Sequence, residues 1–283
     1  MDCQWTALLN ILPAWLRAIV SQTQDKYLQE IRLRVGCNPT LVCKGEIIRA
    51  RRPATKDDLE FCINTASRYS PWAHQSMANG FIAVQGGHRI GICGTVIVDN
   101  GVPMGIRDVS SLCIRVARQF TGIGERAAHY SGNILILGRP GSGKTTLLRD
   151  IIRCKSQNGM VVCVVDERQE LFPCVGGVSC FQCGENTDII SGCRKADGIE
   201  MAIRLMNPDV IAVDEITANR DCDALINAGW CGISLLATAH AASKMDFLVR
   251  PIYRPLVESR LFDTLLILHE DKSWRLERVR YDD

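Results

Sequence analysis

Hydrophobic and polar positions follow two different patterns along the chain, and the pattern changes near residue 118. In the first part, apolar residues recur at helix or strand spacing with charged residues between them. Leu8, Leu9, Leu12, Trp15, Leu16, Ile19 and Val20 predict an amphipathic helix over residues 4–20, kinked at Pro13. Arg17 is the one basic residue on its polar face, so packing inside a domain suits it better than lying on a membrane. Glu30-Ile31-Arg32-Leu33-Arg34-Val35 alternates as a half-buried strand does, and Gly36 closes it. Residues 41–50 predict a second strand region broken by a turn at Lys44-Gly45. Thr55 and Asp58 have capping-box spacing at the start of a helix whose buried stripe is Leu59, Cys62, Ile63 and Ala66, stopped by Pro71. A β-meander follows. Residues 81–85 meet a Gly86-Gly87 turn, and 89–98 run on with Ile90, Ile92, Val96 and Val98 on one face. Asn100-Gly101 is a hairpin turn leading into 102–107, and Leu112, Ile114 and Val116 mark a further strand. Residues 1–118 thus read as an α+β domain, and 119–132, where the pattern fades, as a linker.

From residue 133 the apolar runs become continuous: 133–137, 161–165, 210–214, 234–239 and 264–269, alternating with helical stretches. Strands apolar on both faces belong to a parallel sheet covered on both sides, so 133–283 read as an α/β domain.

Composition narrows the setting. A chain of 283 residues suits about two domains. Its 47% hydrophobic and 23% charged residues are those of an ordinary globular protein with a real core. A net charge of +2 supplies no global basic field, so no nucleic-acid partner is expected. No run approaches the ~18 apolar residues of a spanning helix, and the first residues lack an export pattern. A cytoplasmic location is expected, and with it reduced thiols for the fourteen cysteines. Cys180-Phe181-Gln182-Cys183, flanked by Cys174 and Cys193, leaves a zinc site, a redox pair or a cysteine-rich loop open.

The candidate chemistry lies at the ends of the apolar runs. The first leads into Gly138-Arg139-Pro140-Gly141-Ser142-Gly143-Lys144-Thr145, then Thr146 and a helical Leu147, Leu148, Ile151, Ile152. This is a complete G-x-x-x-x-G-K-[ST] phosphate-binding loop between a strand and a helix. Its backbone N–H groups and the helix N-terminus would cradle phosphates, Lys144 would reach the β- and γ-phosphates, and the Thr145 hydroxyl would ligate Mg²⁺. The run ending in Asp214-Glu215 brings Asp214 to the magnesium through water and Glu215 beside the γ-phosphate. A second run ends in Asp166-Glu167-Arg168, making Glu167 another candidate for orienting the attacking water. A third ends in Thr238-Ala239-His240. That histidine could sense the γ-phosphate, or simply be a hydrogen-bonded surface residue. ATP and Mg²⁺ are the expected ligands.

In this order the four elements resemble the secretion ATPase superfamily, the hexameric motors of type II and type IV secretion and of type IV pili. Within it, residues 143–150, 165–168, 207–216 and 236–240, with 30–34, 105–108 and 114–118 nearer the start, resemble the stage III sporulation protein AA family of endospore formers. That resemblance spans nearly the whole chain. It implies a RecA-like P-loop domain, preceded by a smaller domain that caps the nucleotide, and a ring of six subunits. It also implies a place at the cytoplasmic face of the mother-cell membrane, held by membrane-protein partners, where the ring energises a channel complex to the forespore. Glu215 becomes the catalytic glutamate, Glu167 its helper and His240 the sensor. Arg89, Arg107 or Arg115, from this chain or a neighbour, would complete the site, since an arginine finger raises phosphoryl-transfer rates by ~10³–10⁵. Thr217-Ala218 depart from the Gly-Arg usual at that point of the family. Two other functions share these motifs: a nucleotide-gated scaffold of very slow turnover, and a nucleic-acid motor with a RecA-like core.

Overall fold

The computed structural model describes residues 3–23, 27–67 and 80–279. Pro71, expected to stop a helix, lies outside the described residues. Contacts divide the chain into two units: Met1–Gln119 with Pro173–Phe181, and Phe120–Phe172 with Gln182–Asp283.

In the first unit the predicted kinked helix is instead two helices, α1 (Trp5–Asn10) and α2 (Ala14–Ser21). Pro13 sits just before α2 with φ −55° and ψ 146°. A proline has no N–H for the helical ladder and pushes its predecessor out of the α region, so the break is complete. β1 (Leu28–Arg34), β2 (Thr40–Cys43) and β3 (Glu46–Arg49) precede α3 (Lys56–Ser67), and β4 (Phe81–Ala83), β5 (Arg89–Asp99) and β6 (Val102–Arg115) follow it. The strands form an antiparallel sheet in the order β3-β2-β1-β6-β5-β4. Alternation buries Ile31 and Leu33 while Arg32 and Arg34 stay exposed, and a bulge after Leu28 lets that residue point inward as well. Leu8, Leu12, Leu16 and Val20 of the helices, with Leu59 and Cys62 of α3, complete this core.

Two expectations for the meander need correction. Residues 102–107 and 112–115 belong to one long strand, β6, which ends one residue before Val116. Its register against β5 shifts where Cys93 pairs with Ser111 but Thr95 with Arg107. Beyond that shift the ribbon leaves the core: Ile90 and Ile92 are buried, but Val96 and Val98 are 52% and 57% exposed. Asn100 and Gly101 close the ribbon with φ of 48° and 79°, the positive values a tight hairpin turn requires.

The second unit begins with α4 (Glu125–Ala128), inside the stretch read as a linker; Gly124 N–H donates to the Asp150 carboxylate at 2.7 Å. β7 (Ile134–Leu137), α5 (Lys144–Gln157) and β8 (Val162–Asp166) come next. The chain then enters the first unit as a small hairpin, β9 (Cys174–Val175) and β10 (Val178–Ser179), turned at Gly176-Gly177. There Gln4 Nε2 donates to the Cys180 carbonyl at 3.1 Å, and Phe181 lies so close to Gly87 that a Cβ there would fall 2.3 Å from its ring. The chain returns as β11 (Thr187–Ser191), α6 (Lys195–Leu205), β12 (Val210–Val213), α7 (Asn219–Trp230), β13 (Ser234–Ala239), α8 (Lys244–Val249), α9 (Arg254–Glu258), β14 (Thr264–Leu268) and β15 (Trp274–Arg278). The sheet order is β11-β8-β12-β13-β7-β14-β15, parallel except for β15. β7, β8, β12 and β14 are buried along their whole length, as continuous apolar runs require.

Asp58 ties α3 into the first unit. Its backbone N–H donates to Thr55 Oγ1 at 3.2 Å while its carboxylate accepts from the Thr55 N–H at 2.9 Å, a capping box closed with aspartate. The same carboxylate accepts from Trp15 Nε1 at 2.9 Å. Burial pushes this carboxyl's pKa up, but the bonds from Trp15 and Thr55 and the Arg52 charge outweigh it, so the group stays ionised below the usual range. Its stabilising contribution is therefore whole above the ordinary aspartate value of about 3.9 and is lost as pH falls through the lower folded value. Asp58→Ala should cost about 2 kcal/mol in urea unfolding near neutral pH. The difference from wild type should shrink in strong acid; a difference that does not depend on pH would contradict the assignment.

Candidate active site

The sheet order brings four strand ends together. Leu137 of β7 is level with Ala239 of β13, Ala237 with Val213 of β12, and Val213 with Val165 of β8. The segments that follow these strands therefore emerge at one carboxyl edge, where open α/β sheets bind ligands.

The loop after β7 wraps the start of α5. Gly141 and Gly143 have φ of 73° and 103°, positive values that a side chain would oppose. At Gly138 a Cβ would fall 2.4 Å from Ser142 Oγ. Among the described residues Ser142 Oγ is buried without a hydrogen-bond partner. Lys144 is buried, and its ammonium donates to the carbonyls of Gly138 (2.9 Å) and Arg139 (3.1 Å) and lies 3.0 Å from His240 Nδ1. Burial pushes the Lys144 pKa down, against the pull of Asp214 and Glu215. Thr145 Oγ1 donates to Asp214 Oδ2 at 2.7 Å.

Thr238, fully buried on β13, holds both acids of the neighbouring strand. Its hydroxyl donates to Asp214 Oδ1 at 2.5 Å and accepts the Glu215 N–H at 2.8 Å. That second bond matters because Glu215 adopts φ 58°, a left-handed conformation unfavourable for a glutamate. In that posture the Glu215 carboxylate meets His240 Nε2 on one side and Arg168 Nη1, at 2.9 Å, on the other. Since Lys144 can only donate to Nδ1, the imidazole hydrogen sits on Nε2 and points at Glu215. The His240 backbone N–H is itself anchored on Tyr253 Oη at 3.0 Å. Burial raises the Glu215 pKa, but the His240 hydrogen bond and the charges of Arg168 and Lys144 bring it below its ordinary value.

Asp166 and Glu167 line a small pocket beside Asp214 and Glu215 but have partners of their own. Asp166 is buried and accepts the backbone N–H groups of Glu170, Leu171 and Phe172 at 2.8–3.0 Å, shaping the turn after β8. Burial pushes its pKa up despite these three donors. Glu167 is paired with the buried Lys195 at 2.5 Å.

A cavity of about 430 Å³ unites the loop residues Pro140, Gly141, Gly143, Lys144, Thr145 and Thr146 with Arg168, Glu170, Asp214, Glu215, Thr238 and His240. Arg139, on the same loop, points outward to Glu270 at 3.2 Å. The oxygens of Thr145 and Asp214 form a hard-donor pair that suits Mg²⁺. Loop N–H groups, a helix N-terminus and a lysine suit an anionic phosphate chain. Arg89, Arg107 and Arg115 lie on β5 and β6 of the first unit: Arg89 stacks 3.8 Å over Phe81, Arg107 lies 3.7 Å from Asp108, and Arg115 is exposed opposite Glu30. Cys174 and Cys180 lie in the first unit, Cys183 and Cys193 in the second. Among the described residues no cluster of three or more His, Cys, Asp or Glu side chains could hold a metal.

Two contributors escaped the reading of motifs, Thr238 and Arg168. Both stand inside runs quoted for their neighbours, and only the pairing of β12 with β13 and β8 reveals what they touch.

Fold and loop together define a P-loop protein built on a mostly parallel α/β sheet. Superposition bears this out for the fold: the Legionella pneumophila ATPase DotB matches with a TM-score of 0.58 at 16% identity, covering 94% of this chain and 80% of DotB. The pilus retraction motor PilT, solved with bound ADP, matches with a TM-score of 0.60 at 16% identity over 91% of this chain and 80% of its own. The sporulation stage III, protein AA family matches residues 3–282, and the chain belongs to it. The stage III sporulation protein AA of Bacillus subtilis (strain 168) is 36% identical over 280 residues, covering 94% of this chain and 91% of that protein.

Thr238 is the buried joint of the site. Thr238→Val keeps its shape but strips the Asp214 carboxylate and the Glu215 N–H of their partner, so denaturant unfolding of the second unit should show a loss of about 1–3 kcal/mol. Thr238→Ser should stay close to wild type. Equal stability of the valine variant and wild type would show that these bonds do not hold the strand ends.

Proposed function

We propose that this chain hydrolyses ATP as one subunit of a homo-hexameric motor that energises a membrane channel complex between mother cell and forespore during sporulation. The observation that carries the reading is the single cavity shared by Lys144, the Thr145–Asp214 pair, Glu215 and His240. The fold likeness to DotB and PilT and the family membership support the motor and its setting. No helix among the described residues is long and apolar enough to cross a membrane, which agrees with attachment through protein partners.

Each residue has a physical task. The loop N–H groups and Lys144 hold the β- and γ-phosphates, with Lys144 exchanging its carbonyl partners for phosphate oxygens. Thr145 and, through water, Asp214 would hold Mg²⁺, which when bound neutralises charge on the phosphate oxygens. Glu215 orients the attacking water and accepts its proton, and His240, already hydrogen-bonded to Glu215, registers the γ-phosphate beside it. Glu167 supports the site through Lys195 and does not act on the water. An arginine from the first unit or a neighbouring subunit completes the charge balance, with Arg89, Arg107 and Arg115 as candidates. One observation favours a second reading, a nucleotide-gated scaffold of slow turnover: the carboxylate meant to activate water is held between Arg168 and His240.

The two glutamates separate by mutation. Glu215→Gln should bind ATP but lower kcat by ~10²–10⁴ in a phosphate-release assay. Glu167→Gln should lower it less than tenfold, and Lys144→Ala should weaken ATP binding by tenfold or more, about 1.4 kcal/mol. Wild-type turnover by Glu215→Gln would move the catalytic role elsewhere.

A further inference from the structure

Arg168 is the cation of this site to which the proposed mechanism gives no task. Three consecutive charges, Asp166 to Arg168, stand where β8 ends, and two of them are committed. Asp166 is buried against three backbone N–H groups, and Glu167 is bound to buried Lys195. Arg168 instead reaches across to the neighbouring strand end and pairs with Glu215 at 2.9 Å, with 56% of its side chain exposed. It also lines the same cavity as Gly141 and Lys144.

The two partners of this ion pair are not equally free. Glu215 is fixed by its backbone bond to Thr238 and by His240 on its other side. Among the described residues Arg168 has no such second anchor in its hydrogen bonds, and it lines the cavity with its side chain mostly exposed, so it is the partner that can move. An exposed pair of this kind is held weakly. A terminal phosphate carries more charge than a carboxylate and offers three oxygens to the planar guanidinium fork, so it competes well for an arginine.

We propose that Arg168 is a positioning residue that reports the γ-phosphate within its own subunit. Without a nucleoside triphosphate it clamps Glu215. With one in the cavity, the guanidinium passes from the Glu215 carboxylate to the terminal phosphate, and Glu215 is released to face the attacking water. A diphosphate offers no terminal group at that point, so the clamp stays closed and the product state is unreactive. This rests on the nucleotide-binding reading of the cavity, and it gives the resting chain its own brake on hydrolysis.

The test is the preference for ATP over ADP, measured by calorimetric titration of the full chain with each nucleotide and Mg²⁺. Binding of either nucleotide by wild type upholds the cavity assignment; binding of neither refutes that assignment itself, separately from the role of Arg168. Given binding, Arg168→Ala should raise the Kd for ATP about tenfold and that for ADP less than about twofold, because only the triphosphate gains the guanidinium. Arg168→Lys, which keeps the charge without the fork, should fall between. Circular dichroism of both variants should match wild type, since the side chain is mostly exposed. Equal loss of affinity for the two nucleotides, or no loss for either, would overturn the proposal.

Discussion

The carboxylate of Asp214 is the joint on which the second unit's site depends. It is held between two threonine hydroxyls, Thr145 from the first turn of α5 and Thr238 from the middle of the sheet. Those bonds fasten the phosphate-binding loop, the end of β12 and the end of β13 to one another. They also set the direction of Glu215, whose left-handed backbone is tethered by the same Thr238 hydroxyl. A buried polar group without partners is costly, so this small network holds only as a complete set. Its geometry suits a metal-bound phosphate chain, because the oxygens that satisfy one another here are the ones such a ligand would engage.

Much of the fold could be read from the pattern of residues. Continuous apolar runs marked the buried parallel strands β7, β8, β12, β13 and β14, and Thr55 with Asp58 marked the start of α3. What the pattern missed depends on contacts distant in sequence. β11 and β15 lie at the edges of their sheet, and their mixed, partly exposed residues carry no strong period. Val96 and Val98 alternate like core residues yet lie on a ribbon that projects past the bulge, where only tertiary structure decides burial. The hairpin at 173–181 belongs to the first unit although it interrupts the second, which no local signal announces. The strand-end motifs were legible residue by residue because phosphate chemistry demands those residue types at those spacings. Thr238 and Arg168 were not, since a threonine within a strand and an arginine after an acid pair are ordinary until the neighbouring strand is in place.

Two acid pairs end adjacent strands, and their surroundings separate them. Glu215 opens onto the cavity with a histidine and an arginine; Glu167 is turned to a buried lysine. Family membership and the shared fold give the setting, and the contacts within this chain give the division of labour proposed for it. The Glu215 carboxylate is gripped by His240 and Arg168, the arrangement on which the proposed brake rests.

A crystal structure of the chain with Mg²⁺ and a non-hydrolysable ATP analogue tests the central claim most directly. The account predicts phosphates seated on the 138–146 loop, the cation beside Thr145 Oγ1, and the γ-phosphate facing Glu215 and His240. A nucleotide bound elsewhere, or a γ-phosphate facing Glu167 with Glu215 turned away, would contradict it.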